Sequence, residues 1–350
     1  MERLAYIARR LLLVIPTFIG ITVLCFSLTR FLPGGPIEMR LMKMRGMGGG
    51  GEAAASSQSV TASVTEDYRK ELEAQYGFDK PIHAQYWNWL VTNRMGMKLH
   101  SYQYPNKTSW ELIKGRIPVS IWFGLTSFLL TYLICVPLGI AKALKHRQAF
   151  DAVSSLIVFI SYAIPSFALA MGLRMLFCGT LDGGWDIFPL GGVSSDFVTE
   201  PSAWTWFVDR AWHMVLPITC YVAGSFAMLT LLMKNSLLDQ ISADYIRTVI
   251  AKGATRRRAI WGHAFRNALI PIVTGMGPMI GLLFAGSIII ETIFEIPGMG
   301  RLSWDALVGR DYAVFLALLA LTATFQLVGN LISDILYMVV DPRIDFAKRS

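Results

Sequence analysis

Apolar runs long enough to cross a bilayer alternate with short charged segments along the chain. A helix of about 20 apolar residues matches the hydrocarbon core. Stretches of that kind run from Leu11 to about Phe31, Val119 to about Ala141, Val153 to about Cys178, Met214 to about Met233, Ile272 to about Phe294, and Val314 to about Val340. The pattern predicts an all-α integral membrane protein with about six transmembrane helices. Pro137, Pro165 and Pro278 fall inside or near the ends of these runs. Membrane helices tolerate proline where neighbouring groups satisfy the freed carbonyls, so kinks are expected there. The first run follows Arg9-Arg10. It is too long for a signal-peptide core, and no small-residue cleavage site precedes Phe31-Leu32-Pro33, so it reads as a retained anchor.

The polar segments set the organisation. Residues 1–32 form the anchor, 33–117 a large loop between the first and second spans, and 118–350 the remaining membrane domain. Within the loop, 46–64 is rich in Gly, Ala and Ser and reads as a flexible insert. From about Glu66 to Lys114 it carries Tyr86, Trp87, Trp89 and Trp110 and helical-looking stretches, expected to fold against the outer face. No internal repeat is visible.

Basic residues gather on one set of connections: Arg3, Arg9 and Arg10, then Lys142, Lys145 and Arg147, then the 234–271 loop, then Arg343, Lys348 and Arg349. The opposite short loops carry Asp182, Asp186, Asp196, Glu200 and Asp209, and Asp305 and Asp311. The excess of positive charge on cytoplasmic loops predicts that both termini are cytoplasmic and that residues 33–117 are periplasmic. Only 16% of the 350 residues are charged and 54% are hydrophobic, where a soluble domain carries about a quarter charged. The net charge of +8 sits at helix ends and in loops, with no aromatic-interleaved basic stripe, which argues against nucleic acid. Cys25, Cys135, Cys178 and Cys220 lie in or at the edge of different apolar runs without metal-ligand spacing, and read as small packing residues.

The 234–271 loop is the most informative segment. Asp244 is a candidate N-cap, and Tyr245, Ile246, Val249 and Ile250 share one helical face. Gly253 suits a left-handed helix stop, Thr255 can cap a following helix, and Ile260, Ala264 and Phe265 share a side before Pro271. The local shape is helix, glycine turn, helix. An amphipathic basic helix lying on anionic lipid has the same pattern, and periodicity alone slightly favours that reading.

The residues YIRTVIAKG…HAFRNALIP strongly resemble the cytoplasmic loop of the dipeptide/oligopeptide permease family of ATP-binding cassette (ABC) importers. RRLLLVIPTFIGITVLCFSLTRFLPGGP, YGFDKPIHAQYWNWL, GSIIIETIFEIPGMGRLSWDALVGRDY and NLISDILYMVVDPRID resemble further segments of that family. The pattern looks closest to its YejB-type branch, associated with microcin C and peptide uptake. Two departures stand out. Arg247, Thr248 and Val249 occupy the positions of the broader Glu-Ala-Ala motif, as is usual in the peptide branch. Arg94-Met95-Gly96-Met97 stands where a Gly-Asp-Leu-Gly-like element is usual.

The resemblance implies a coupling helix between spans four and five, seated on an ATPase through Asp244, Tyr245, Arg247, Thr248, Ala251, Lys252, Gly253 and Arg257. It implies a bacterial inner-membrane location and these partners: a second homologous (YejE-like) permease, a YejF-like ATP-binding subunit, a YejA-like periplasmic substrate-binding protein, peptide substrate and membrane lipid. ATP and Mg would sit on the partner; no cofactor is expected on this chain, which has no phosphate-binding G-x-x-x-x-G-K-[ST] loop. No nucleophile, base and orienter occur as a set, so no catalytic residue is expected.

Ionisable residues at membrane depth default to a functional hypothesis. Glu291, Asn330 and Asp334 are candidates for the translocation pathway, where the two carboxylates would face a cavity and attract cationic peptide groups. Structural bonding is an equal alternative for Glu291, the favoured one for Arg174, and a structural or gating role is favoured for Asp334. His263 is given no chemistry. Two competing classes remain: an ion-gradient-driven secondary transporter, for which inverted repeats and a discontinuous helix would be expected but are not clearly visible, and a membrane sensor or assembly protein, whose soluble parts here are small.

Overall fold

A computed structural model of the chain describes residues 2–31, 79–179, 184–195, 202–276 and 286–340. The regular elements among them are helices. In chain order they are α1 (Glu2–Phe31), α2 (Ile82–Trp87), α3 (Ser109–Leu144), α4 (Ala149–Ala163), α5 (Ser166–Phe177), α6 (Ala203–Ser242), α7 (Asp244–Ala251), α8 (Arg256–Ala259), α9 (Phe265–Ala268), α10 (Ile270–Thr274), α11 (Ile288–Ile293), α12 (Met299–Val308) and α13 (Tyr312–Val340). π-helical turns at Asn88–Thr92 and Ile260–Ala264 follow α2 and join α8 to α9.

Four of these helices are continuous, long and apolar enough to cross a membrane: α1 over Ala8–Ser27, α3, α6, and α13 over Tyr312–Leu336. They cover the first, second, fourth and sixth apolar runs. The third run is α4 plus α5, bent by 94°. The sequence-based expectation of no clear discontinuous helix is corrected here. A residue preceding proline is pushed out of the helical region by the proline ring, and Ile164 is extended at φ −83°, ψ 117°. Pro165 then opens α5 with its fixed φ of −58°. The fifth run is described at its two ends, as α10 and α11. Residues 277–285, with Pro278, lie outside the described residues, as do the 46–64 insert, Asp182, Asp196, Glu200 and the 341–350 tail.

The chain divides into two compact units. The first comprises 1–15, 116–302 and 322–350. Its α3 and α6 approach closely through Cys135, Gly139 and Ala143, spaced four apart on one face of α3. A Cβ placed on Gly139 would lie 2.7 Å from both Met233 Cβ and the Thr230 carbonyl oxygen. Without a hydrophobic drive between helices in lipid, small residues at this spacing let backbones pack directly. Cys135 and Ala143 are buried there with Met233, Leu237, Ile246, Ala264 and Ala268. Cys178 and Cys220 belong to a second cluster with Phe123, Phe294 and Ile296. All four thiols are free, and the described residues hold no cluster of His, Cys, Asp and Glu suited to a metal ion.

The second unit comprises 16–115 and 303–321. Its core sets Trp89 against Phe26, Leu316 and Ala320. The Tyr86 and Thr22 hydroxyls are 2.9 Å apart. Arg94, Met95 and Gly96 take positive φ in succession, and a Cβ on Gly96 would meet the Trp89 indole at 2.6 Å. Asp311 is buried and caps α13 toward the Val314 N–H at 3.4 Å while accepting the Ser101 hydroxyl.

Candidate coupling site

The helix that delivers the 234–271 loop is the longest described. At 40 residues, α6 measures about 60 Å at 1.5 Å per residue, roughly twice the ~30 Å hydrocarbon thickness. Ala243 breaks it with an extended backbone (φ −68°, ψ 144°), and α7 starts at once. Asp244 is therefore the first residue of α7 and not its cap: Ala243 holds that position, with no capping side chain. Asp244 instead stands exposed, 3.6 Å from the Arg247 guanidinium one turn on.

The two faces of α7 do different jobs. Ile246 is buried, and Tyr245 and Val249 pack beside it on the α3–α6 cluster. Ile250, expected on the same face, is exposed at the end of α7, which stops one residue later. The Tyr245 hydroxyl donates to Gln240 Oε1 at 2.8 Å and accepts from Asn267 Nδ2 at 3.1 Å. That single group ties α7 to the end of α6 and to α9. Ser236 donates to the Ala268 carbonyl at 2.8 Å, fastening α9 to α6 a turn earlier. Tyr245, one of the residues expected to face an ATPase, is thus largely committed to its own chain.

Gly253 has φ +92°, with the Gly253 N–H bonded to the Ile250 carbonyl at 2.9 Å and the Ala254 N–H to the Val249 carbonyl at 3.3 Å. That pair of bonds is the Schellman stop. Space around Gly253 is open, so the demand for glycine comes from the backbone angle and not from crowding. Thr255 Oγ1 accepts the Arg258 N–H at 3.4 Å and starts α8. Ala259, Ile260 and Ala264 turn inward and are buried, while Phe265 packs partly buried on the same cluster.

Arg247, Thr248, Ala251, Lys252, Gly253 and Arg257 are all exposed. With Arg256 and Arg258 they make a basic outer surface. A shallow depression in it is lined by Thr255, Arg257, Arg258, Trp261 and Gly262. His263 is exposed and serves no described site.

The membrane candidates fall elsewhere. Glu291 is fully buried. Its Oε1 accepts the Ser287 N–H at 3.1 Å and its Oε2 the Arg301 N–H at 2.7 Å. Gly286, Gly298 and Gly300 crowd the carboxylate so closely that a Cβ on any of them would collide with it or with the adjoining backbone. Glu291 thus takes up two main-chain amides, that of Ser287 just before α11 and that of Arg301 in the first turn of α12, which is the structural bonding given as its alternative. Asp334 is paired with Arg10 of α1 at 3.2 Å. Asn330 is exposed one turn away and accepts from Gln326 Nε2 at 3.1 Å. Arg174 pairs with Glu295 at 2.8 Å and donates to the Ile293 carbonyl, a structural role as favoured.

Sequence reasoning missed one polar cluster. Lys142 and Lys234 read from sequence as charges of basic connections, and Asp151 draws no reading, yet the three meet at the ends of α3 and α4 and on α6. Positive charge at span ends is what topology alone demands, so no local signal separates a buried pair from a solvated one.

Residues 135–346 match the family described as "Binding-protein-dependent transport system inner membrane component". The chain is 38% identical over 369 aligned positions to the inner membrane ABC transporter permease protein YejB of Escherichia coli O157:H7, covering 99% of this chain and all of that protein. It is 37% identical over 364 positions to the peptidoglycan transport system permease protein YejB of Agrobacterium fabrum, covering 99% of each chain. It is 34% identical over 342 positions to the oligopeptide transport system permease protein AppB of Bacillus subtilis, covering 98% of this chain and 99% of that one. With more than half of its length matching the family and its relatives aligned end to end, the chain belongs to the binding-protein-dependent transport system inner membrane components, as a multi-pass inner-membrane permease.

Proposed function

We propose that this chain is the permease subunit of an ABC importer for peptides, forming half of the translocation pathway and driven by an ATPase on the cytoplasmic side. The observation that carries the reading is the loop from Asp244 to Gly262: its inner face is fixed to α6, and its outer face presents Arg247, Lys252, Arg256, Arg257 and Arg258. A lever needs both a rigid root and a free contact surface. The YejF-like ATPase binds ATP and Mg and seats Asp244, Arg247, Thr248, Ala251, Lys252, Gly253 and Arg257, with Tyr245 acting mainly as the root. A YejE-like permease completes the pathway, and a YejA-like binding protein delivers substrate to the periplasmic side. Both termini are cytoplasmic. ATP binding shifts the inward/outward equilibrium only through its different affinity for the two states.

Two named relatives point to two cargoes, oligopeptide and peptidoglycan. Free peptides are the primary reading, and peptide-bearing peptidoglycan fragments are the second. The test is the full importer in liposomes with its binding protein. Peptide-loaded binding protein is expected to stimulate ATP hydrolysis and drive peptide uptake. Uptake without ATP, or no stimulation by loaded binding protein, overturns the reading. Competition of a peptidoglycan fragment against a tripeptide for uptake decides between the cargoes.

A further inference from the structure

The Lys142–Asp151–Lys234 cluster lies outside the coupling surface and outside the expected pathway. Asp151 sits in the first turn of α4 and is buried. Lys142, in the last turn of α3, is fully buried; its Nζ reaches Asp151 Oδ1 at 3.2 Å, the Asp151 carbonyl at 3.1 Å, Ser154 Oγ at 2.9 Å and Ser155 Oγ at 2.7 Å. Lys234, on α6, holds both carboxylate oxygens at 2.7 and 2.8 Å. His146 Nδ1 lies 3.1 Å from Oδ2, and the Arg147 N–H reaches the same oxygen at 3.4 Å.

The bonding is asymmetric in a useful way. The Lys142 Nζ bonds go to Asp151, Ser154 and Ser155, all on α4, so it fastens α3 to α4. Lys234 alone carries the cluster to α6. A carboxylate with two lysines has one cation more than charge balance requires, so losing Lys234 leaves Asp151 still partnered by Lys142. Losing Asp151 instead strands buried Lys142, the costly case for a buried pair.

The rest of α4 packs on α6 along one narrow stripe. Asp151, Ser154 and Val158 are its buried residues. Val153, Leu156, Ile157, Phe159, Ile160 and Tyr162 are all more than half exposed. Ser161 donates to the Ala223 carbonyl of α6 at 3.2 Å, a second attachment farther along the same stripe. Lys234 is also close to the lever. α6 runs unbroken from it to Ser242, about 12 Å of helix, and α7 begins at Asp244 just past the break at Ala243.

We propose that the Lys234–Asp151 pair is the joint that carries displacement of the coupling loop from α6 into the broken span α4–α5. Lys234 is then a positioning residue for transport, acting through α4 and touching neither substrate nor ATPase. The inference rests on the importer reading above.

The experiment uses the complete reconstituted importer with peptide-loaded binding protein and reads peptide accumulated per ATP hydrolysed. Lys234→Met keeps the aliphatic stem and is expected to retain stimulated ATPase within about twofold while peptide per ATP falls about tenfold, within the range of ordinary coupling energies. Lys234→Arg keeps the charge and is expected to restore the ratio. An unchanged ratio in Lys234→Met, or proportional loss of both activities, overturns the proposal. A second measurement needs no change at the joint. Spin labels at exposed Val153 and Asp239 report the α4–α6 separation in the resting and ATP-trapped states. A constant separation is expected; a shift overturns the joint even if Lys234→Met does not assemble. Failure of the wild-type complex to respond to loaded binding protein sinks the importer reading itself, which separates the two failures.

Discussion

Single side chains in this protein earn their places by bonds that differ from their apparent chemistry. Glu291 looks like a pathway carboxylate and instead accepts the Ser287 and Arg301 amides in a glycine cage. Glu291→Gln keeps the shape and replaces one acceptor oxygen by a donor, leaving an amide unmet. The expected cost is about 1–3 kcal/mol, read as a lower melting temperature of the purified complex, with peptide uptake per assembled complex unchanged. Reduced uptake at full stability would return Glu291 to the pathway. Gly298→Ala places a Cβ 2.5 Å from the same carboxylate and is expected to destabilise more. Gly253 is the converse case, where only the backbone matters. A side chain there meets open space but must hold φ +92°, at about 1–2 kcal/mol. Gly253→Val is expected to weaken stimulated ATPase strongly and Gly253→Asn mildly, since asparagine tolerates that region better. Equal activity in all three would remove the turn from the mechanism.

At the level of elements, the close passage of α3 over α6 fixes the floor beneath the coupling loop. Gly139 touches Met233 and Thr230 so nearly that Gly139→Leu must separate the helices, and overpacking of this kind costs about 1–3 kcal/mol. Gly224, on α6 but with nothing within 4 Å of an added Cβ, is the matched control. Gly139→Leu is expected to reduce both assembly and stimulated ATPase, and Gly224→Leu neither; similar losses in both would mean that the crossing has no special role. The bend at Ile164–Pro165 is a second element-level feature. It divides an apolar run that hydropathy reads as one span, and it leaves α4 attached to α6 chiefly along one stripe.

For the molecule as a whole, the importer reading makes an energetic statement: work enters from ATP on a partner and not from an ion gradient. Uptake in liposomes is expected to stop when ATP is withheld and to persist when an ionophore collapses all ion gradients. The reverse result would favour the secondary-transporter class, which the discontinuous α4–α5 among the described residues would suit. Full-length similarity to permease subunits weighs against that class.

The sequence by itself determined the elements whose causes are local or dictated by solvent. A bilayer demands about 20 apolar residues per span and rewards positive charge on one side, so the helices α1, α3, α6 and α13 were legible from composition along the chain. The glycine stop at Gly253 and the cap at Thr255 were legible because both are set within a turn of the residue. The sequence suggests Asp244 as a cap, whereas the cap position is Ala243, where the break comes from backbone alone and leaves no side-chain mark. What only the tertiary structure decided are the partners of charges. Glu291 meets the Arg301 amide across the turn into the next helix, while Asp334 meeting Arg10 and Asp151 meeting Lys234 join segments distant in sequence. A carboxylate or a lysine is written identically whether it faces water, peptide or a buried partner, and only the packed fold fixes which.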